Sequence, residues 1–114
     1  TLEVSGDIAG GITNNSNIGS LLVNESVNYK GNGNDRITQA LEVAEDKTLT
    51  IQNNGTLSFE STNGTINNAG TIAGNLSNVS NSTLGTFINS GIITGDLYND
   101  GHIDTLHNTG TMGT

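Results

Sequence analysis

Gly64-Thr65-Ile66-Asn67-Asn68-Ala69-Gly70-Thr71-Ile72-Ala73-Gly74-Asn75-Leu76-Ser77-Asn78-Val79-Ser80 is followed by Gly85-Thr86-Phe87-Ile88-Asn89-Ser90-Gly91-Ile92-Ile93-Thr94-Gly95-Asp96-Leu97-Tyr98-Asn99-Asp100-Gly101. Laid over each other at an offset of 21 residues, the two stretches share Gly64/Gly85, Thr65/Thr86, Asn68/Asn89, Gly70/Gly91, Ile72/Ile93, Gly74/Gly95, Leu76/Leu97 and Asn78/Asn99, with Ile66/Phe87 similar. A fixed period of this size marks a stacked repeat architecture.

Within the period lies a unit of about half its length, Ile72, Gly74, Leu76, Asn78, Ser80, repeated as Ile93, Gly95, Leu97, Asn99, Gly101. Near the start it occurs twice in tandem, as Ile8, Gly10, Ile12, Asn14, Ser16 and as Ile18, Ser20, Leu22, Asn24, Ser26. Its residues fall on alternate positions, so an extended chain turns them all to one face. Asp7, Thr13, Asn15, Asn17 and Glu25 then face outward, as a solvated exterior requires. A hairpin sheet would also alternate, but it would not return the same residue at the same phase with each period. Coils stacked in register do, and this predicts an all-β parallel β-helix, a β-solenoid of about five coils of roughly 21 residues. Asn recurs at Asn68, Asn78, Asn89, Asn99 and Asn108. Asn suits corners because it tolerates left-handed backbone angles, and stacked Asn amides form hydrogen-bonded ladders. One coil buries only a few aliphatics at about 2 kcal/mol each, against roughly 1–2 kcal/mol per ordered residue. Stability therefore has to come from stacking.

Residues 27–47 read as an irregular, loop-containing region, with a loop near Tyr29 to Arg36 and a turn at Glu45-Asp46-Lys47. Leu41, Val43, Leu49, Ile51, Asn53, Gly55, Leu57 and Phe59 keep the alternating phase, and alternation with β-branched residues favours strand over helix across Ile37–Glu45. The whole of 1–114 is then a single solenoid segment, and its pattern running to both ends predicts a piece of a longer protein.

Only 32% of the 114 residues are hydrophobic and the net charge is −8, a combination that without the patterning would predict disorder. Lys30, Arg36 and Lys47 form no basic patch, so neither nucleic acid nor an anionic membrane surface is an expected partner. No stretch has the roughly 20 apolar residues of a membrane-spanning helix, so this segment is not expected to insert into a bilayer. There is no Cys, which removes disulfides and thiol-ligated zinc.

Thr71-Ile72-Ala73-Gly74-Asn75-Leu76-Ser77-Asn78 and Ile93-Thr94-Gly95-Asp96-Leu97-Tyr98-Asn99-Asp100-Gly101-His102-Ile103 resemble the passenger domains of type V secreted autotransporter adhesins of Gram-negative bacteria. The resemblance covers residues 6–26 and 64–112 well and the middle weakly, and two-partner-secreted haemagglutinin-like proteins have similar repeats. It implies a right-handed β-helix at the bacterial cell surface or secreted, with a noncatalytic role in adhesion, self-association or biofilm formation. The partner it implies is a host surface protein or glycan, or another copy of the chain, with no cofactor.

Several features carry candidate chemistry. Asp96, Tyr98, Asp100, His102 and Asp104 share the outer phase, and an Asp-x-His-x-Asp row offers acid–base or metal-ligating groups. Next-but-one residues on a strand lie some 6–7 Å apart, so a solvated acidic face is the stronger reading. His107 follows a phase slip expected near Thr105. Leu21, Val23, Ile88 and Ile92 are expected to break the polar exterior, either as contact patches or under the irregular region. Gly31-Asn32-Gly33-Asn34-Asp35-Arg36-Ile37 partly fits a calcium-binding repeat, but it occurs once and Lys30 stands where the repeat begins with Gly; a loop is the simpler reading. The alternative to a scaffold is a carbohydrate-active β-helix, a polysaccharide lyase, hydrolase or glycan-binding domain, using the 96–104 row. Lyases set Lys or Arg beside their acidic groups, and the basic residues here lie far along the chain from that row.

Overall fold

The computed structural model describes all residues except Asp7, Ala9, Asn15, Asn32, Asn53, Asn54 and Thr114. The outward phase expected of Asp7 and Asn15, the inward phase of Asn53 and the place of Asn32 in the glycine-rich segment lie outside the described residues. Elsewhere the alternating segments form strands β1 (Leu2–Val4), β2 (Ile12–Asn14), β3 (Asn17–Val23), β4 (Val27–Gly31), β5 (Arg36–Val43), β6 (Thr48–Ile51), β7 (Thr56–Phe59), β8 (Gly64–Asn68), β9 (Thr71–Ala73), β10 (Asn75–Asn78), β11 (Thr83–Asn89), β12 (Ile92–Ile93), β13 (Leu97–Asn99), β14 (His102–Asn108) and β15 (Thr111–Met112).

Every pairing is parallel, and each strand pairs with strands about one coil away. Parallel neighbours need a long crossover between them, and here the rest of the coil supplies it. The chain is a β-solenoid of about five turns with a spacing of about 20 residues. Its coils have three walls. One is the sheet β2-β4-β6-β9-β12-β15. The other two are arms of a second sheet, β7-β10-β13 and β8-β11-β14, which meet on the long strand β5. Ile37 of β5 pairs with Phe59 on the first arm, and Ala40 to Val43 pair with Thr65 to Asn68 on the second.

The expected 21-residue offset is the register of the wall: Ile66 lies over Phe87, Asn68 over Asn89, Ile72 over Ile93, and Leu76 over Leu97. The inward residues make continuous columns, Leu2-Leu21-Leu41-Ile66-Phe87-Leu106 and Val27-Leu49-Ile72-Ile93-Met112. Leu21, Leu41, Ile66, Phe87, Leu49, Ile72 and Ile93 are fully buried. Each such side chain contributes roughly 1.5–3 kcal/mol of burial.

The repeat unit is not one strand. It bends at Gly74, between β9 and β10, where φ is +150° and a Cβ would stand 2.8 Å from the Cβ of Ile51. Glycine is needed there both for the backbone angle and for the space.

Two expectations about phase and loops are corrected. Leu21 and Val23 are not on the exterior; both are wholly buried, and Leu22 is the residue aligned with Glu3 and Glu42 on the outer side. The cause is the irregularity between Ile18 and Ser20, where Gly19 stands opposite two residues of β5, Thr38 and Gln39: the inward residues Ile18 and Leu21 are three apart on β3, while their partners Ile37 and Leu41 are four apart, so the alternation reverses on β3. The tandem unit starting at Ile18 therefore loses its phase after its first residue. The loop expected near Tyr29 to Arg36 is shorter: Tyr29 is buried within β4, which runs to Gly31, and Arg36 opens β5, leaving the bend at Gly33 and Asn34 between the strands. Ile37 to Val43 is strand, and Asp46, with φ 64°, turns the chain where Glu45-Asp46-Lys47 was expected to.

At the surface Lys47 Nζ approaches Glu25 Oε1 at 3.3 Å, one coil apart. The Ser26 amide and then Lys47 hold the Glu25 carboxyl below its ordinary range. A bridge this exposed adds little to stability.

Candidate functional site

The interior polar residues are the most ordered feature beyond the aliphatic columns. Asn68 Nδ2 donates to Asn89 Oδ1 at 2.9 Å, and Asn89 Nδ2 to Asn108 Oδ1 at 2.9 Å. On the neighbouring arm Asn78 Nδ2 donates to Asn99 Oδ1 at 2.9 Å. The recurring Asn thus forms two ladders and not one, because successive Asn residues alternate between arms. Their backbones are not left-handed: among the described non-glycine residues only Asp46 and Asn81 have positive φ. The ladder residues sit at strand ends, and their amides also hold the carbonyls of the corner that follows. Asn68 Nδ2 reaches Gly70 O at 3.3 Å and Ile92 O at 3.0 Å, and Asn78 Nδ2 reaches Ser82 O at 3.1 Å. Capping of corner carbonyls explains the residue choice better than a backbone angle does.

The outer row divides between two walls. Tyr98 lies on β13, with Asp96 just before it, and Tyr98 Oη donates to Asp96 Oδ2 at 3.3 Å. His102 and Asp104 lie on β14 beyond the corner at Asp100 and Gly101, and His102 Nε2 stands 2.7 Å from Asp104 Oδ1. Both partners of that pair are open to solvent, at 70% and 53% exposure of their side chains. The five residues therefore form two local pairs and a corner aspartate, and among the described residues no third carboxylate or imidazole joins either pair. Among the described residues no group of three or more His, Cys, Asp or Glu side chains is placed to hold a metal. His107 aligns with Ile88 and Leu106 with Phe87, so the chain changes phase between Ile103 and Leu106.

Ile88 stands between Asn67 and His107, and Ile92 between Thr71 and Thr111. Ile92 is 46% exposed, whereas Ile88 is half-buried, so the two make separate apolar points.

One polar group escaped the sequence reading. Asn14 Nδ2 donates to Tyr29 Oη at 3.0 Å, and Tyr29 Oη donates to Asp35 Oδ2 at 2.6 Å. The Gly33 amide donates to Asp35 Oδ1 at 3.2 Å. Burial first, and then the Asp35 carboxylate, push the Tyr29 phenol above its ordinary value. The calcium-like spelling around Asp35 instead turns its carboxylate inward, onto a buried tyrosine. An Asp within a Gly/Asn run, six residues after the only Tyr in that half of the chain, is the signal that would have found it. Beside it lies a cleft of about 320 Å³ lined in part by Lys30, Gly31, Gln52, Thr56 and Ser58.

No family model, curated protein or solved structure matches the chain.

Proposed function

We propose that the chain is a noncatalytic scaffold segment of a bacterial surface or secreted adhesin, which displays a varied outer face on a repetitive core. The observation that carries this reading is the contrast between columns. Inward columns keep one chemistry over several coils, as in Val4-Val23-Val43 and Asn68-Asn89-Asn108, and although Thr65-Thr86-Thr105 repeats on the outside, other outward columns change from coil to coil, as in Asn67-Ile88-His107, Thr71-Ile92-Thr111 and Glu3-Leu22-Glu42. A catalytic face needs groups from several coils converging on one point, and the Asp96, Asp100, His102 and Asp104 row gives only neighbouring pairs. The likeness of the repeats to autotransporter passengers supports the surface location.

The purified chain, immobilised and offered arrays of host and bacterial glycans and cell-surface proteins, is expected to retain a partner without altering it. Turnover of a polysaccharide that is lost on Asp104→Ala, with the fold intact by circular dichroism, would instead make it a carbohydrate-active domain.

A further inference from the structure

The wall opens between two stacked coils in the middle of the chain. Glu60 N donates to Ile37 O at 3.0 Å, which marks the side of β7 that faces the preceding coil, whereas Gly55 O and Phe59 O accept from Asn75 N and Val79 N on the other side. Main-chain groups alternate between the two edges of a strand, so those of Thr56 and Ser58 are directed toward the preceding coil. Among the described residues, pairing on that side is confined to Ile37 with Phe59. The Ser58 N–H and both main-chain groups of Thr56 therefore have no strand partner there. On its other edge β7 is paired along its whole length, from Thr56 to Phe59.

The cleft of about 320 Å³ occupies this opening. Thr56 and Ser58 line one side with their outward side chains, beside Gln52 and the nearly buried Ile51. The other side carries Lys30, on a corner that is held from behind. Gly33 N donates to Asp35 Oδ1 at 3.2 Å, Arg36 Nη1 donates to Gly33 O at 2.9 Å, and a Cβ at Gly31 would overlap the Asp35 carboxylate. Lys30 itself is exposed and, unlike Lys47 and Arg36, has neither an ion pair nor a side-chain hydrogen bond among the described residues. An ammonium group, two hydroxyls, a side-chain amide and open main-chain groups thus line one ligand-sized space.

We propose that this cleft binds a single acidic sugar unit at the end of an otherwise neutral glycan, its carboxylate on Lys30 and its hydroxyls on Gln52, Thr56, Ser58 and the open edge of β7. The mixture of donors and acceptors suits sugar hydroxyls, each of which does both. An added peptide strand fits less well, because the open edge runs only from Thr56 to Ser58 before Ile37 closes it, and strand addition needs a run of main-chain bonds. The net charge of −8 disfavours a polyanionic chain, whereas a carboxylate in contact with Lys30 lies well inside the screening length of about 8–10 Å. The assignment rests on the adhesin reading and names the glycan class for it.

The test titrates the full chain with the methyl glycosides of sialic acid, glucuronic acid and glucose, and follows the backbone amides by NMR. An acidic glycoside is expected to shift the Thr56 and Ser58 amides to saturation, and the tighter of the two acidic probes names the source of the carboxylate. Lys30→Met, with its fold intact by circular dichroism, is expected to weaken that binding at least about tenfold, the factor a hydrogen bond to a charged group gives. Lys47→Met removes the same charge elsewhere and is expected to leave it unchanged. No saturable shift with either acidic probe, equal binding of the glucoside, or undiminished binding by Lys30→Met would overturn the proposal. So would tighter binding at the same amides by a short peptide with a free C-terminal carboxylate. Glycans retained equally by the native chain and by Lys30→Met overturn the cleft assignment and leave the adhesin reading standing, whereas a positive titration with no partner retained from the arrays overturns the adhesin reading alone.

Discussion

Asn68 donates its side-chain amide to Asn89 across one coil, while its own Oδ1, buried and without a partner, faces the position where the preceding coil carries Val43. The same arrangement recurs on the neighbouring arm, where Asn78 follows Phe59 and its Oδ1 is also without a partner. The solenoid thus changes from aliphatic columns to amide columns between its third and fourth coils, and one orphaned acceptor in each column marks the junction.

Asn89 is bonded on both sides, so its loss breaks the ladder. Asn89→Ala is expected to destabilise the fold by roughly 2–3 kcal/mol in urea titration, since Asn108 and Asn68 each lose a partner. Asn89→Asp should cost more, because a carboxylate oxygen would then face Asn108 Oδ1 and Thr111 O, both acceptors.

Val43→Asn supplies a donor to the orphaned Asn68 Oδ1, whereas Val23→Asn, one coil earlier, gives its amide only Val43 to face. Both lose buried methyl groups. The change at Val43 should nonetheless be cheaper by on the order of 1 kcal/mol, the net value of one hydrogen bond, in paired denaturation curves.

Gly74→Ala places a methyl against Ile51 on a backbone that L residues rarely adopt, and is expected to cost roughly 1–3 kcal/mol. Gly6→Ala, where nothing lies within 4 Å of the new Cβ, should leave the thermal midpoint almost unchanged.

The Tyr29 phenol is held above its ordinary value by burial and by the Asp35 carboxylate. Its contribution to stability is therefore fully present below the unfolded tyrosine value of about pH 10, and is lost as pH rises above it. Tyr29→Phe removes that alkaline fall and takes the hydroxyl from Asp35, at a cost of roughly 1.5–3 kcal/mol near neutral pH. Urea titrations at pH 8 and pH 11 on both proteins check the sign.

The stacked register was legible because Gly, Ile, Leu and Asn return at a fixed phase between residues 64 and 101, and a parallel stack turns that phase directly into contact. The phase reverses on β3 because that strand is one residue shorter than β5 between Ile18 and Leu21, and nothing in Ile18-Gly19-Ser20 distinguishes this from simple alternation, which places Leu21 and Val23 outward. A Gly/Asn run resembles solvated chain and so reads as a longer loop, while Tyr29 and Asp35 satisfy each other's polar groups inside the coil. Of the outer row, alternation gave the residues' side but not the corner at Asp100-Gly101, which divides them between two walls.

The central claim is that residues one period apart are stacked neighbours. Asn67 and Ile88 are aligned on the outer side of adjacent strands, which lie about 4.8 Å apart. The chain has no Cys, so Asn67→Cys and Ile88→Cys carry spin labels to those two positions alone. The doubly labelled protein is expected to give an electron spin resonance spectrum strongly broadened by spin–spin coupling. A spectrum equal to the sum of the two single-label spectra would contradict the stacking.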